Sequence, residues 1–274
     1  MTKVSILGCG WLGFPLAKAL IKKDYIIKGS TTTADKKETL ENAGITHYPI
    51  SLETTNLDIP IEAFIAESET LIIAVPPKLR GKNKDYSDSN KNSFVKKIEN
   101  LLPYIEKSSV QNVLFISSTA VYGEANATIT EDTPLTPVTE SGRQLAEIEI
   151  LLNQNNHFKT TILRFGGLIG PDRNPARFLA GKENVSNPEA PINLIHLDDC
   201  IGIIIKILET KTWETQLNAV TPNHPSRKEY YTQKALDYNL VPPTFNESNP
   251  SIGKMITSDR LIQLLDYKFT QLDL

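Results

Sequence analysis

Several things are scarce in this chain of 274 residues, and each shortage excludes a class of protein. No apolar run is long enough to span a bilayer, because the longest are broken by charge or proline, so no membrane partner is expected. Neither charge dominates: 29 basic side chains face 32 acidic ones, which gives nucleic acid or an anionic surface nothing to recognise. Only two cysteines occur, Cys9 and Cys200, far apart and without metal-ligand spacing. Both read as reduced small fillers, one inside a turn and one in an apolar helical run, so a cytoplasmic protein with no metal site is expected. Internal repeats and low-complexity segments are missing too.

What is present begins at once. The apolar strand Lys3 to Leu7 runs into Gly8-Cys9-Gly10-Trp11-Leu12-Gly13, and Phe14 to Ile21 follows with the apolar spacing of a helix. A glycine turn between strand and helix lets the backbone approach a pyrophosphate, whose charge then sits on the amides of the helix N-terminus. Gly8, Gly10, Trp11, Leu12 and Gly13 are therefore expected to bind a dinucleotide. Glycines at such a turn can also serve packing alone. Lys3 ahead of an apolar stretch also imitates a secretory signal. The glycines interrupt that stretch, however, and its removal would delete the first strand, so no signal is expected.

Strand and helix signals alternate over the first two-thirds of the chain. They predict an α/β fold with a doubly wound parallel sheet of the Rossmann kind and a smaller C-terminal substrate lobe. Strands are expected over Tyr25 to Ser30, Ile45 to Ile50, Thr70 to Val75, Val110 to Ile116 and Thr160 to Phe165. Helices are expected over Ala34 to Ala43, Phe94 to Ile105 and Arg143 to Asn153. Arg80 to Asn92 is nearly all polar and reads as an exposed loop. Glycine and proline become frequent after Gly166. The division is drawn as 1-165, the dinucleotide-binding core, and 166-274, a lobe interleaved with that core.

In such folds the second strand usually ends near an acidic residue that holds the ribose hydroxyl of NAD. Here the place is taken by Ser30-Thr31-Thr32-Thr33, with no carboxylate before Asp35 and with Lys36 and Lys37 behind. Hydroxyls and a lysine can donate to a ribose phosphate that a carboxylate would repel. Thr31, Thr32, Thr33 and Lys36 therefore point to NADP, with NAD as the alternative; both lysines also fit a solvated helix face. Ala74, Val75 and Pro76, where a strand stops, and Phe165, at the end of another, complete the expected cofactor contacts.

The second strong signal is Ile116-Ser117-Ser118-Thr119-Ala120-Val121-Tyr122-Gly123, a hydroxyl cluster where an apolar strand meets the ligand-binding edge of the sheet. With Leu163-Arg164-Phe165-Gly166-Gly167-Leu168-Ile169-Gly170-Pro171 and Asn193-Leu194-Ile195-His196-Leu197-Asp198-Asp199, the chain resembles the extended short-chain dehydrogenase/reductase family, the NAD-dependent epimerase/dehydratase group, over essentially its whole length. It looks most like the short bacterial members. The resemblance implies hydride transfer, a substrate-binding hydroxyl at Ser118, and a catalytic Tyr with a Lys four residues later. At the matching places stand Ser141 and Leu145, in Glu140-Ser141-Gly142-Arg143-Gln144-Leu145. A serine lacks the acidity of a phenol, and a leucine holds no ribose.

Ser117, Ser118, Tyr122, Ser141 and Arg143 are the catalytic candidates, Tyr122 and Arg143 as a phenol and a cation arriving from new directions. Arg164 can reach either substrate or a carboxylate. A Tyr-x-x-x-Lys spacing at Tyr230 and Lys234 comes too late in the chain and reads as accidental. His196 reads as a helix cap rather than a catalyst. Arg173, Arg177 and Lys182 in the pocket roof would suit an anionic small-molecule substrate, and the resemblance allows a homodimer. Two functions stay open: an NAD(P)-dependent oxidoreductase or epimerase-like enzyme with an atypical site, and a non-enzymatic NAD(P)-binding sensor or regulatory protein. An interaction scaffold without a ligand fits the intact glycines poorly.

Overall fold

The structure, a computed structural model, describes residues 1–52, 58–77 and 93–272. Strand β1 (Lys3–Leu7) enters helix α1 (Gly13–Ile21), and β2 (Ile26–Ser30) leads through a short turn of 3-10 helix at Ala34–Lys36 into α2 (Lys37–Asn42) and β3 (Thr46–Tyr48). Next come α3 (Asp58–Ile65), β4 (Thr70–Ile73), α4 (Phe94–Glu106), β5 (Asn112–Ser118), β6 (Thr128–Ile129), α5 (Glu140–Asn153) and β7 (Lys159–Phe165). The last third holds β8 (Gly167–Ile169), α6 (Ala176–Leu179), β9 (Leu194–His196), α7 (Leu197–Thr210), β10 (Thr215–Ala219), α8 (Arg227–Asp237), β11 (Met255–Ile256) and α9 (Asp259–Leu265). The expected loop over Arg80 to Asn92 lies outside the described residues.

Seven strands form one sheet in the order β10-β7-β5-β4-β1-β2-β3, every neighbouring pair parallel. Alternate side chains of each strand feed opposite faces. Leu7, Ile73 and Phe115 join a core with α3, α4 and α5, while Ile6, Ile72 and Leu114 join a second core with α1, α7 and α9. This is the expected doubly wound sheet. Its winding reverses between β1 and β4, so a ligand crevice lies beyond the carboxyl ends of those two strands.

The helix α3 has no counterpart in the expectations from sequence. Pro60 stands near its start, where proline is tolerated, and Ile61, Phe64 and Ile65 are buried. Ser5, in the middle of the apolar β1, donates to the Phe64 carbonyl oxygen at 2.6 Å and ties the helix end to the sheet. At residue 165 the fold has no break. Strand β10 returns to the main sheet beside β7, and α7 packs on α1. Outside the sheet, β8 pairs with β9 and β6 with β11, and Tyr230 of α8 covers Ile169, Ile192 and Leu194.

The end of the chain is latched by one carboxylate. Asp199 is fully buried, and its oxygens accept from the Tyr267 hydroxyl (2.9 Å), the Thr270 N–H (2.9 Å) and hydroxyl (3.0 Å), and the Gln271 N–H (3.0 Å). A charged acceptor with several buried donors leaves them all unsatisfied when removed. Asp199→Ala is expected to lower unfolding stability by about 3 kcal/mol in urea and to expose the segment after Leu265 to the earliest proteolytic cleavage. An unchanged midpoint and cleavage pattern would contradict the latch.

Candidate functional site

Three glycines of the first turn do three different jobs. Gly8 has φ of 105°, a backbone shape that favours glycine, and a Cβ there would lie 2.8 Å from Val75 Cγ1. A Cβ on Gly13 would lie 2.2 Å from the Gly8 carbonyl oxygen, so only glycine lets α1 start this close to β1. At Gly10 a Cβ would meet nothing within 4 Å. Packing explains the first and third glycines; the open space at Gly10 leaves room for a ligand. The first turn of α1 carries neither an acidic residue nor a side-chain cap, so its amides present their positive end to that space.

The end of β2 fixes this turn from below. Ser30 Oγ accepts from the Gly8 N–H at 2.9 Å, and the Ser30 carbonyl accepts from the Cys9 N–H at 2.7 Å. A Cβ on Gly29 would lie 2.6 Å from Cys9 Sγ, so the sulfur is seated on bare backbone. Burial pushes the Cys9 thiol up to about 12 against the opposing Ser30 backbone contact and the Lys36 charge, so it stays a thiol at neutral pH. Ser30 is thus a site residue that sequence reasoning did not single out. The signal was there, in a small polar side chain where a buried apolar strand ends.

Beyond Ser30, Thr31 is half-buried and Thr32, Thr33 and Lys36 are exposed. Thr31 Oγ1 accepts from the Thr33 N–H at 3.1 Å, which holds the loop in a tight turn. Thr32 also borders a narrow, mostly apolar cleft with Ile50, Leu52, Val75, Pro76 and Phe94, suited to a flat ring. Ala74 and Val75 are half-buried beside the glycine turn, and Pro76 is exposed. Two expected cofactor contacts are side chains of the core instead: Phe165 is 2 % exposed and Leu12 7 %. Leu12 still stands at the N-terminus of α1, where its backbone can serve; the Phe165 ring is packed away from solvent. Trp11 is half-buried, with its indole against Gly170 and the Arg173 guanidinium 5.1 Å above its ring.

The catalytic candidates divide sharply. Arg164 reaches a carboxylate: its Nη2 donates to Glu149 Oε2 at 2.7 Å and its Nε to both oxygens, with both side chains buried. Ser117 Oγ donates to Glu149 Oε1 at 2.5 Å. Arg164 Nη1 donates to the Tyr122 hydroxyl at 2.6 Å, which donates onward to Asn218 Oδ1 at 2.8 Å. Ser117 and Tyr122, expected as catalytic groups, are 5 % and 1 % exposed inside this network. Burial raises the Tyr122 phenol above its ordinary value despite the Arg164 charge, the reverse of what a proton-transfer phenol needs. Glu149 and Asn218 escaped sequence reasoning, although a glutamate flanked by Ile148 and Ile150 was a visible signal.

Arg143 is exposed and pairs with Glu140, Nε to Oε2 at 3.0 Å, on the outer face of α5. Ser118 stays at the sheet edge, half-buried, where its Oγ accepts from the Ala120 N–H at 3.2 Å. Ser141 is half-buried in the first turn of α5, behind the Thr139 cap, and Leu145 one turn later is 5 % exposed in the core. Gly142 between them fits because a Cβ would lie 2.3 Å from the Ala120 carbonyl oxygen, which presses α5 onto the serine turn. His196 caps α7, its Nδ1 accepting from the Asp198 N–H at 3.2 Å. Tyr230 and Lys234 lie on α8, with the ammonium 6.0 Å from the centre of the ring.

The sequence profile of the NAD dependent epimerase/dehydratase family matches residues 4–213. Protein YeeZ of Escherichia coli K12 is 35% identical over 276 residues, which span 98% of this chain and 96% of that protein. The structure of UDP-glucuronic acid 4-epimerase from Bacillus cereus in complex with NAD superposes with a TM-score of 0.80 at 18% identity, covering 98% of this chain and 94% of that one. A short-chain dehydrogenase/reductase superfamily protein from Agrobacterium tumefaciens with bound NAD gives 0.79 at 16% identity, covering 97% and 92%. The structural likenesses establish the fold. Among the described residues no helix is long and apolar enough to cross a membrane, and no group of three or more His, Cys, Asp or Glu could hold a metal ion.

The division of labour among the glycines is open to direct measurement. Gly13→Ala is expected to lose about 3 kcal/mol or more by forcing the helix off the strand. Gly10→Ala should unfold within about 0.5 kcal/mol of the parent protein, because its methyl meets nothing. Equal destabilisation by both would contradict the assignment of open space to Gly10.

Proposed function

The chain belongs to the NAD dependent epimerase/dehydratase family, and from that premise we propose that it holds a nicotinamide dinucleotide, NADP in preference to NAD, without the family's usual proton-transfer pair. The observation that carries this reading is a contrast within one site. The phosphate cradle is open at Gly10, while α5 offers Ser141 and a core-buried Leu145 where a phenol and an ammonium would act.

The residues fit the dinucleotide. The amides at the start of α1 suit its pyrophosphate. The cleft of Ile50, Leu52, Val75 and Pro76 suits its adenine, and Thr32, Thr33 and Lys36 can donate to a ribose phosphate with no carboxylate among them. When bound, the nicotinamide supplies a hydride donor or acceptor. The chain's own residues then do little with protons: the Ser118 hydroxyl can orient a substrate oxygen, the carboxylate next to Ser141, Glu140, is taken up by Arg143 and Gln144, and Leu145 brings no charge. Such a protein responds to which dinucleotide it holds, as a sensor or regulatory protein would.

One observation favours a second reading, an oxidoreductase or epimerase-like enzyme of altered chemistry. Ser118 keeps its half-buried hydroxyl at the ligand-binding edge.

Calorimetry tests the proposal. NADP should bind at least tenfold more tightly than NAD, and Lys36→Glu should erase most of that difference by placing a carboxylate beside the ribose phosphate. NAD bound as well as NADP would overturn the preference, and binding of neither would overturn the reading entirely. Catalytic turnover of the bound dinucleotide with an added carbonyl substrate, abolished by Ser118→Ala, would instead favour the enzyme.

A further inference from the structure

A crevice of about 240 Å³ opens behind the glycine turn, between the loop Gly170 to Pro175 and helix α8. Its walls include Arg173, Asn174, His196, Lys234 and Gln271, and no carboxylate is among its described lining residues. Each of the five is a hydrogen-bond donor. Asn174 Oδ1 accepts from the Ala176 N–H at 2.9 Å, which leaves its Nδ2 buried with no acceptor among the described residues. His196 Nδ1 accepts from the Asp198 N–H, so the neutral ring carries its proton on Nε2 and donates from there. Two acids adjoin wall residues. Asp198 lies 3.4 Å from His196 Nδ1 and is 62% exposed, and Asp237 lies 3.9 Å from Lys234 Nζ.

We propose that this crevice binds a small phosphate-bearing anion, at a site distinct from the dinucleotide cradle. Two cations from opposite walls, Arg173 of the loop and Lys234 of α8, can reach several oxygens of one tetrahedral group. The volume falls below the roughly 300–1,000 Å³ that drug-sized ligands occupy, so a phosphate with a few carbons fits and a second nucleotide does not. The loop wall meets the glycine turn at Trp11, whose ring lies against Gly170 and beneath the Arg173 guanidinium. An anion that draws on Arg173 therefore changes the surroundings of the Trp11 indole, which gives the site its own reporter.

The proposal does not depend on dinucleotide binding and is tested without it. In a Trp213→Phe background Trp11 is the sole tryptophan, because the chain has two. Titration with inorganic phosphate at constant ionic strength should give a saturable change in its emission. Lys234→Gln, on the α8 wall, should weaken that response at least tenfold, whereas Gly10→Ala should leave it intact. No saturable response would overturn the proposal. So would a response that survives Lys234→Gln, and its loss in Gly10→Ala would locate the phosphate at the glycine turn instead.

Discussion

The contact between Gly13 and the carbonyl oxygen of Gly8 is the constraint on which the rest depends. A Cβ at residue 13 would stand 2.2 Å from that oxygen, so the helix can begin directly over the end of β1 only with glycine there. That approach leaves the space beside Gly10 open and brings the first amides of α1 over it. It also sets Trp11 against Gly170, which joins the first turn of the chain to the late loop. Ser30 and Gly29 hold the same turn from β2, through a hydroxyl and a seat for Cys9. The cradle is therefore built by backbone proximity, and side chains matter mostly by being small.

The second organising feature lies deeper and is electrostatic. Arg164 and Glu149 form a buried pair, and breaking such a pair by removing one partner usually costs about 3–5 kcal/mol because the other charge is stranded. Ser117, Tyr122 and Asn218 satisfy the remaining donors and acceptors. This network links β5, α5, β7 and β10 under the serine turn. It turns three residues with chemical potential into structural ones and leaves Ser118 and Ser141 as the hydroxyls near the surface.

Much of this was legible in the sequence. The strand-glycine-helix context located the turn between β1 and α1, and the apolar runs located all seven strands of the sheet except β10. The resemblance pointed to Ser141 and Leu145 as the residues in place of the expected pair, and both fall in the first two turns of α5. Other parts could not. The α3 helix hides behind Pro60 and an acidic surround, and its burial depends on β1 and β4. The fates of Ser117, Tyr122 and Arg143 turn on where one strand and one helix cross, which no local pattern encodes. Tyr122 looks exposed in a run of hydroxyls, yet Arg164 and Asn218 close over it from strands far along the chain. A spacing dismissed as accidental, Tyr230 to Lys234, lies on the wall of the second crevice rather than at the catalytic helix.

A crystal structure of the protein saturated with NADP would show whether the dinucleotide is held while the acid–base apparatus is missing. The expected result is the pyrophosphate over Gly10 at the start of α1, the ribose phosphate among Thr32, Thr33 and Lys36, and no tyrosine hydroxyl or lysine ammonium in contact with the nicotinamide end. A dinucleotide bound elsewhere, or a tyrosine and lysine brought to the nicotinamide by rearrangement, would contradict it.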